Sequence, residues 1–381
     1  MRICVLNPFF YPYSGGTETV LLEVYKRLAK KHQVTVITSN NGRELKLDSV
    51  FGIDVIRLKT DFINVPKAPL PYLRMHGLVD AIRKSDSQIY HINNRFQYTL
   101  SEVGKMKNIG KLALTIHNAL PQNIDFITDS AGLLYDTLVG RRMMEAADLL
   151  TGVSKSALLS TVPKKLIGKS HVVYNGVDYD AFKKRPKSDA HVRRIADSFD
   201  LDNFTILDVG RLVPQKGHSY LIMAVKRLLR EFDMKLVLLG DGPYLQKLTG
   251  LVEKEGLSGN VCFAGKVDHQ LTKYYYNASD MFSLQSTYEP ASVALLEAMA
   301  SELSCVVARA GGMPEMMKDS GLYSTPRSID SIYNKIKEGV LMDKRKIRRM
   351  VKAGRKIIIA EHDWDRISKQ YENLFYNLCK D

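Results

Sequence analysis

The sequence predicts an α/β protein with two domains, each built around a parallel sheet. Short β-branched runs alternate with longer amphipathic segments, and this alternation breaks once, in a charged stretch at residues 179–203. Each half restarts with a strand that leads into a glycine-bearing turn and a helix. Such alternation is typical of βαβ units, whose strands pair in parallel. We therefore expect two Rossmann-like domains that face each other across a cleft.

The strand candidates follow one another in two series. The first contains RICVLN, QVTVIT, IDVIRL, QIYHI, KLALTIH, LLTGV and HVVY, and the second contains FTILDVG, KLVLLG, VCFAG, DMFSLQ and SCVVAR. We place the N-terminal domain at 1–178, the linker region at 179–203, the C-terminal domain at 204–360 and a final segment at 361–381. That segment is predicted to be an amphipathic helix, because its apolar residues recur at helical spacing: Trp364, Ile367, Tyr371, Leu374, Phe375 and Leu378.

Size and composition agree with this division. A chain of 381 residues exceeds one ordinary hydrophobic core, and 45% apolar with 25% charged residues is globular composition. The N-terminus reaches Asn7 and Pro8 before a signal-peptide apolar region develops, and no run of about 18 apolar residues suits a membrane span. We expect a cytoplasmic protein.

Cysteine spacing and net charge limit the classes of partner. The four cysteines are scattered singly, without the CxxC spacing of a zinc or redox site. The formal charge is +14, with 23 Lys and Arg against 15 Asp and Glu in residues 1–178 and 32 against 26 in the remainder, which indicates a spread excess. Either solubility or attraction to anionic substrates or an anionic membrane face explains it. No nucleic-acid recognition motif is present, so we expect no nucleic-acid partner.

Two glutamates bracket the stretch EPASVALLE. Pro290 suits the first turn of a helix, so the sequence predicts Glu289 at the helix entrance and Glu297 two turns inside. At about 1.5 Å per residue the two carboxylates would lie roughly 12 Å apart, a spacing that suits opposite ends of an extended ligand. The helix is otherwise apolar, and a carboxylate in such surroundings needs a partner.

This segment and six others in the chain resemble the retaining glycosyltransferases of family 4, which have the GT-B architecture. Glu289 and Glu297 resemble the Glu-x7-Glu signature of that family. The further motifs occur in the family's order, and six ordered motifs are far more specific than one: GGTE at 15–18, TIHN at 115–118, NGVD at 175–178, VGRLVPQKG at 209–217, GDGP at 240–243 and ARAGGMPE at 308–315. The resemblance implies a GT-B fold whose C-terminal helix crosses back to the N-terminal domain.

Arg211 and Lys216 are the candidate ligands of a donor diphosphate. They follow the strand FTILDVG, in a turn that ends where Gly217 opens the next helix, so two cations and free backbone N–H groups converge. A leaving diphosphate gains negative charge as the glycosidic bond breaks, and fixed cations stabilise that charge. The alternative interpretation is two solvated basic residues in a surface loop.

By the same resemblance, Glu289 would bind hydroxyls of the donor sugar and Glu297 both ribose hydroxyls, since a diol offers two donors to two carboxylate oxygens. The backbone of Lys266 and Val267 matches the position that receives the nucleobase. Further positions border the donor phosphate or sugar: Gly311, Gly312, Pro290, Ala291 and Ser292. The family commonly has Glu-Pro-Phe-Gly where this chain has Glu289, Pro290, Ala291 and Ser292, so the donor identity stays open.

In the N-terminal domain, Gly15 and Gly16 precede a helix, and their lack of side chains would let backbone amides approach a phosphate or an acceptor. His117 ends the strand KLALTIH, at the edge where open α/β sheets bind ligands. The resemblance places the matching histidine near the reacting sugar. A structural role at the strand end is the alternative.

Two further patterns are coincidental. The triplet Asp178, Tyr179 and Asp180 has the DxD form of metal-binding glycosyltransferases, yet it trails NGV at the expected domain boundary. GDGPYL at 240–245 lacks the third glycine of a dinucleotide-binding turn. We expect neither a metal nor a nicotinamide cofactor.

The sequence thus predicts a retaining hexosyltransferase that moves a sugar from a UDP- or GDP-linked donor to a sugar, glycan or lipid-linked acceptor. Two alternatives remain open: a nucleotide-sugar binding or regulatory protein without turnover, and a GT-B-fold nucleotide-sugar epimerase. Residues 62–78 combine apolar, proline and basic residues that suit either a peripheral position at the inner face of the membrane or an ordinary domain loop.

Overall fold

The computed structural model describes residues 1–13, 15–40, 47–63, 72–94, 109–118, 130 and 133–380. The chain forms two compact units. Unit 1 consists of Met1–Asn175 together with Trp364–Asp381, and unit 2 consists of Gly176–Asp363. Of the loop 62–78 that the sequence singles out, residues 64–71 lie outside the described residues.

In its described residues, unit 1 contains an eight-stranded sheet of order β10-β9-β8-β7-β1-β2-β4-β3 and a separate hairpin, β5-β6. Only β3 runs antiparallel to its neighbour within the large sheet. The strands are β1 (Arg2–Leu6), β2 (Gln33–Ser39), β3 (Leu47–Val50), β4 (Ile53–Leu58), β5 (Thr60–Ile63), β6 (Tyr72–Met75), β7 (Ile89–Asn93), β8 (Lys111–Ile116), β9 (Leu149–Gly152) and β10 (Ser170–Val172).

Unit 2 contains a parallel sheet of order β13-β12-β11-β14-β15-β16. Counted along the chain this is the order 3-2-1-4-5-6 of a Rossmann domain, in which the strand order reverses between the first and fourth strands. The strands are β11 (Phe204–Val209), β12 (Met234–Leu239), β13 (Val261–Gly265), β14 (Met281–Leu284), β15 (Ser304–Ala308) and β16 (Leu322–Ser324).

Helices separate the strands in both units. They are α1 (Gly16–Leu28), α2 (Leu78–Lys84), α3 (Arg141–Ala146), α4 (Lys155–Thr161), α5 (Ala190–Phe199), α6 (His218–Leu228), α7 (Leu245–Lys254), α8 (His269–Ala278), α9 (Val293–Ala300), α10 (Met313–Met317), α11 (Ile329–Leu341), α12 (Lys344–Glu361) and α13 (Trp364–Lys380). The alternation predicted from the sequence, two parallel sheets covered by helices, is confirmed. Within the expected linker region 179–203, α5 packs into unit 2 through the buried Val192.

The final helix, α13, packs on α1 within unit 1. Its apolar side is buried, as the helical spacing predicts, and includes Trp364, Tyr371 and Phe375. Tyr371 also reaches the sheet, where its hydroxyl lies 3.4 Å from the Oγ1 of Thr115. At the helix surface His32 Nε2 lies 2.8 Å from Glu372 Oε1. The helix therefore belongs to the core of unit 1. No described helix is both long and apolar enough to cross a bilayer.

Candidate active site

The reversal of strand order in unit 2 brings two segments together at the carboxyl edge of the sheet. β11 pairs with β14, and the turn 210–217 follows β11 while the loop 285–292 follows β14. Helices leave opposite faces of a sheet on the two sides of such a point, which opens a crevice where ligands of α/β proteins bind. The fold alone therefore directs attention to these two segments.

The turn and the loop are fixed to each other through their backbones. Gly217 has a φ of +72°, and a Cβ there would lie 2.1 Å from the carbonyl oxygen of Gln285. The amide of Thr287 donates to the Gln215 carbonyl at 2.8 Å, and the Gln215 side chain donates to the Tyr288 carbonyl at 2.8 Å. Only glycine fits at 217, because both the close approach and the left-handed backbone exclude a side chain.

A second glycine motif supports the turn from the other side. A Cβ on Gly240, whose φ is +147°, would lie 1.9 Å from the Gly210 carbonyl oxygen. The Leu212 amide donates to the Asp241 carbonyl at 2.9 Å. The GDGP motif therefore has a packing role: it lets the loop after β12 contact the backbone of the turn.

Lys216 and Glu289 form an ion pair across the two segments. Lys216 Nζ lies 2.5 Å from Glu289 Oε2, and the Ser286 hydroxyl donates to the same oxygen at 3.2 Å. Their side chains are only 19% and 11% exposed. An ammonium has three N–H donors and a carboxylate about four acceptor positions, so each group retains capacity for a ligand. Each charge also depends on the other, because an unpaired charge at this depth is costly.

Arg211 lies on the same turn but is exposed, and its guanidinium makes no ion pair or hydrogen bond within the described residues. Five N–H donors on the turn that carries Lys216 are thus available to a ligand. Guanidinium groups suit phosphate because two parallel N–H groups match two oxygens.

The backbone of Glu289 is held by a third segment, the turn between β15 and α10. Gly312 donates its amide to the Glu289 carbonyl at 2.9 Å. Gly311 has a φ of +57°, and a Cβ there would lie 2.1 Å from the same carbonyl oxygen. Glu289 is therefore fixed on both sides, by Lys216 through its carboxylate and by the glycine pair through its backbone.

The expectation that a helix begins at Pro290 is wrong. Helix α9 begins at Val293, and Ser292 is its N-cap, with the Ser292 hydroxyl accepting from the Leu295 amide at 3.2 Å. Serine is among the strongest N-cap residues, and this local bond decides the boundary in place of the weaker preference of proline for a first turn. Residues 289–292 form a loop. The distance of roughly 12 Å between Glu289 and Glu297, which assumed one continuous helix, therefore does not apply.

Glu297 does have the partners that a buried carboxylate requires. Its side chain is 4% exposed. His269 Nε2 lies 2.6 Å from Glu297 Oε1, and the Tyr276 hydroxyl donates to Oε2 at 2.8 Å. Burial and the neighbouring Glu297 charge raise the pKa of Tyr276 well above its usual value, so the phenol stays a donor.

The same contacts connect Glu297 to the segment after β13. His269 is the first residue of α8, whose N-cap Asp268 accepts from the Gln270 amide at 2.9 Å. Lys266 and Val267 come directly before it; Lys266 is exposed, and Val267 packs against the apolar core of unit 2. The carboxylate predicted for ribose and the segment predicted for the nucleobase thus lie together at the start of α8.

A buried pair lies behind the turn. Asp208 in β11 and His218, the first residue of α6, approach within 3.2 Å between Oδ1 and Nε2, and both side chains are fully buried. They flank residues 209–217 on the two sides. The two side chains approach each other at the base of the turn, but their polar atoms form no hydrogen bond among the described residues.

In unit 1, the predicted residues lie at the corresponding edge of the other sheet. Gly15 is the N-cap of α1 and Gly16 its first residue. A Cβ on Gly15 would lie 2.3 Å from the Glu18 carboxylate, whereas one on Gly16 would meet nothing within 4 Å. Burial raises the pKa of Glu18, which accepts from the Asn7 side chain at 3.4 Å. A side chain at position 15 would therefore clash with Glu18, whereas position 16 has room for one.

His117 follows β8, is 7% exposed, and its Nε2 lies 2.9 Å from the Asn93 Oδ1. The Asn93 amide nitrogen donates to the His91 carbonyl at 3.4 Å, so the oxygen faces His117 and Nε2 carries the proton. Burial lowers the pKa of His117 to about 4. The imidazole is therefore neutral at physiological pH, with Nδ1 as an acceptor.

The structure thus gathers the predicted residues of unit 2 into two groups on one sheet edge. The first contains Arg211, Lys216, Glu289, Gly311 and Gly312, and the second contains Glu297, Lys266 and Val267. Sequence reasoning missed the side chains that fix these groups: Gln215, Ser286, His269 and Tyr276. Only Asp268 before His269, an N-cap signal, could have indicated where α8 starts.

Two family models match the chain. The model of glycosyl transferases group 1 matches residues 193–357, and that of glycosyltransferase family 4 matches residues 14–181. The first match contains the sheet edge just described, and the second contains Gly15, Gly16 and His117.

Relatives agree with these matches. The chain is 25% identical to the N-acetyl-alpha-D-glucosaminyl L-malate synthase of Bacillus anthracis, over 97% of this chain and 96% of that protein. It is 29% identical to a GDP-mannose-dependent alpha-(1-6)-phosphatidylinositol monomannoside mannosyltransferase of Mycobacterium tuberculosis, over 51% and 52%. The alignments with this mannosyltransferase and with a relative from Methanocaldococcus jannaschii span only about half of those proteins.

A solved structure shows the same fold. HepE of Anabaena, in complex with UDP, superposes with a TM-score of 0.79 over 99% of this chain and 100% of that chain, at 21% identity. The predicted fold class is thereby confirmed. The chain belongs to the group 1 glycosyltransferases and has the GT-B fold.

Proposed function

We propose that the protein transfers a sugar from a nucleoside diphosphate donor to an acceptor hydroxyl with retention of configuration and without a metal ion. The observation that carries this proposal is the Lys216–Glu289 ion pair at the strand reversal of unit 2, with the exposed Arg211 on the same turn. A cation beside a carboxylate suits a ligand whose diphosphate meets the cation and whose sugar hydroxyls meet the carboxylate.

Arg211 and Lys216 stabilise the leaving group. As the bond between the anomeric carbon and the phosphate oxygen breaks, negative charge develops on the diphosphate, and the two cations neutralise it without a metal. Burial of the Lys216–Glu289 pair strengthens this effect, because charges interact more strongly where water is excluded.

Glu289 orients the donor sugar. Lys216 and Ser286 both engage Oε2, which leaves Oε1 for hydroxyl donors of the sugar. The acceptor oxygen bonds to the anomeric carbon on the face from which the diphosphate departs, and the acceptor proton passes to the departing phosphate oxygen. Atoms and charge balance in this step without a protein nucleophile.

Glu297 binds the ribose. His269 and Tyr276 hold its two oxygens in place, and each oxygen retains a lone pair for one hydroxyl of the ribose diol. The neighbouring backbone at Lys266 and Val267 receives the base. HepE was solved with UDP, whereas the mycobacterial relative is GDP-mannose-dependent, so UDP- and GDP-linked donors are both candidates.

The acceptor is assigned to unit 1. A neutral His117 offers an acceptor nitrogen to a hydroxyl, and Gly16 leaves open space at the start of α1. One relative is named for a phosphatidylinositol mannoside and another for L-malate, which supports a lipid-linked, glycan or other hydroxyl-bearing acceptor.

Release of nucleoside diphosphate tests the proposal. Candidate UDP- and GDP-sugars are incubated with sugar, glycan and lipid-linked acceptors, and product configuration is determined by nuclear magnetic resonance, with and without EDTA. Arg211→Ala should lower turnover by about a hundredfold or more if the guanidinium acts as a transition-state donor. Lys254→Ala, which removes an exposed lysine of α7, is the matched control. Unchanged turnover in Arg211→Ala, or loss of turnover in EDTA, would contradict it.

The two alternatives give different results in the same assay. A binding or regulatory protein binds a donor and releases no diphosphate, and an epimerase converts the donor without any acceptor. Ala291 and Ser292, where this chain departs from the residues common in the family, have structural roles here: Ser292 caps α9, and Ala291 packs against the core of unit 2.

A further inference from the structure

Helix α12 carries a concentration of positive charge that is not apparent when charges are counted over each half of the chain. It contains eight Lys and Arg, and its one acid, Glu361, is its last residue. Without these eight cations, residues 179–381 hold 24 basic against 26 acidic residues. The positive excess of this part of the chain is therefore not spread, as those counts indicated, but lies on one helix.

Seven of the eight cations of α12 are exposed. Val351, Gly354 and Ile358 are the buried residues. At about 100° per residue, six exposed cations fall within an arc of about 140°, whose centre lies about 120° around the helix from the centre of the buried residues: Lys344, Arg345, Arg348, Arg349, Lys352 and Lys356. We call these six residues the basic face. Of the other two cations, Lys346 is exposed but lies outside this arc, and Arg355 is partly buried and donates to the Tyr179 carbonyl at 3.3 Å.

The basic face differs from the basic clusters of unit 1. There Lys26 and Arg27 pair with Glu23, at 2.5 and 2.6 Å, and Lys165 pairs with Glu145 at 2.6 Å. The six cations of the basic face form no ion pair among the residues that the structure describes. Their charge is therefore not neutralised by this chain.

This arrangement works against the helix itself. Like charges four residues apart repel, as at Arg345 and Arg349, at Arg348 and Lys352, and at Lys352 and Lys356. Lys344, Arg345 and Lys346 also occupy the first turn, where the helix dipole disfavours cations. An anionic surface placed against the basic face would relieve both repulsions.

We infer that the basic face of α12 docks the protein on an anionic membrane surface. Ile359, which is 47% exposed, falls within the same arc, and Leu341, 64% exposed, precedes the helix. Cations with exposed aliphatic side chains among them suit a lipid headgroup region. The sequence of α12 contains no aromatic residue to stack on bases, which disfavours a single-stranded nucleic acid. This surface is separate from the sugar-transfer site and does not depend on its assignment.

Vesicle co-sedimentation of the full chain tests the inference. The protein should bind vesicles of phosphatidylcholine with about one third phosphatidylglycerol in about 0.15 M salt, and should not bind phosphatidylcholine alone. The fourfold variant Arg345→Gln, Arg348→Gln, Arg349→Gln and Lys352→Gln should reduce partitioning by about a hundredfold to a thousandfold. Glutamine is chosen because it keeps helix propensity high.

The matched control removes four exposed cations elsewhere: Lys164→Gln, Arg193→Gln, Arg194→Gln and Lys254→Gln. It has the same net charge as the fourfold variant and should still bind. Circular dichroism and turnover verify that both variants are folded. An equal loss in both variants, equal binding to neutral vesicles or no binding by the parent protein would overturn the inference. So would tighter binding, in the same salt, of duplex DNA or polyglutamate than of the anionic vesicles.

Discussion

The strand order reverses once in each large sheet, between β1 and β7 in unit 1 and between β11 and β14 in unit 2, yet the two carboxyl edges present different chemistry. In unit 2 that edge carries charge: the exposed Arg211 and the Lys216–Glu289 pair. In unit 1 the described residues at the ends of β7 and β8 are neutral polar groups: His117 is uncharged and is bonded to Asn93. We infer that the topology sets the edge at which a ligand would bind, whereas the side chains at the strand ends would select the part of the ligand that binds there. Charge suits a diphosphate, and neutral acceptors suit a hydroxyl.

The largest expected effect comes from the charged edge. Glu289→Gln should lower turnover by about a hundredfold to a thousandfold, because the amide orients the sugar poorly and leaves Lys216 without its partner. Steady-state kinetics should show the loss mainly in kcat. Glu253→Gln, at an exposed glutamate of α7, is the control. A change in KM alone would mean that Glu289 only contributes uniform binding.

Acid should destabilise unit 1, because two of its buried histidines are held neutral by the fold. Burial lowers the pKa of His91 to about 3 and that of His117 to about 4, below the value near 6.5 of an unfolded histidine. Between pH 6.5 and 4 the unfolded chain therefore binds protons that the folded chain does not, and the free energy of unfolding falls as the pH falls. The slope should be about 1.4 kcal/mol per pH unit for each histidine.

Urea unfolding at several pH values measures that slope, and hydrogen exchange resolved by peptide should locate the loss in unit 1. His117→Gln keeps a donor toward Asn93 and should reduce the slope by the contribution of one histidine, about 1.4 kcal/mol per pH unit. A slope that is the same in this variant would show that His117 is not held neutral by the fold.

The glycines of the two edges should respond in opposite directions. Gly311→Ala would place a Cβ 2.1 Å from a backbone oxygen at a φ of +57°, so unfolding should become easier by about 1–3 kcal/mol. Gly16→Ala meets open space at the start of a helix and should stabilise by about 0.4–1 kcal/mol. Thermal or chemical denaturation compares the two directly. If Gly311→Ala were neutral, the fixed position of the Glu289 backbone would be in doubt.

The smallest effect is expected at the start of α9. Ser292→Ala removes the N-cap acceptor of the Leu295 amide and should cost about 1 kcal/mol of unfolding free energy, whereas Ser292→Gly should cost only a few tenths. Turnover should change little in Ser292→Gly. If Ser292→Gly proved much less stable than Ser292→Ala, capping would not be the role of this serine.

Much of the fold could be predicted from the sequence. The β-branched runs before 175 and after 203 correspond to β1, β2, β4 and β7–β15, because buried parallel strands need continuous apolar residues. The short strands β3, β5, β6 and β16 were missed, since three or four residues give little periodicity. The start of α9 was misplaced because a side-chain bond from Ser292 decided it.

The candidate site divides in the same way. Charged residues after strands, such as Arg211 and Lys216, are visible in a sequence because strand ends are where ligands bind. The side chains that fix them are not. Tyr276 and His269 come from α8 and meet Glu297 only once β13 and β14 are placed in the sheet, and no local pattern encodes that contact.

Nucleotide titration calorimetry tests the central claim most directly. If Arg211 and Lys216 bind a diphosphate at the edge of unit 2, the protein should bind UDP or GDP at least about tenfold more tightly than the matching monophosphate, which corresponds to about 1.4 kcal/mol for one charge-assisted contact. Arg211→Ala should diminish that preference, since only Lys216 then remains, and should leave monophosphate binding unchanged. An undiminished preference for the diphosphate in Arg211→Ala would contradict the account.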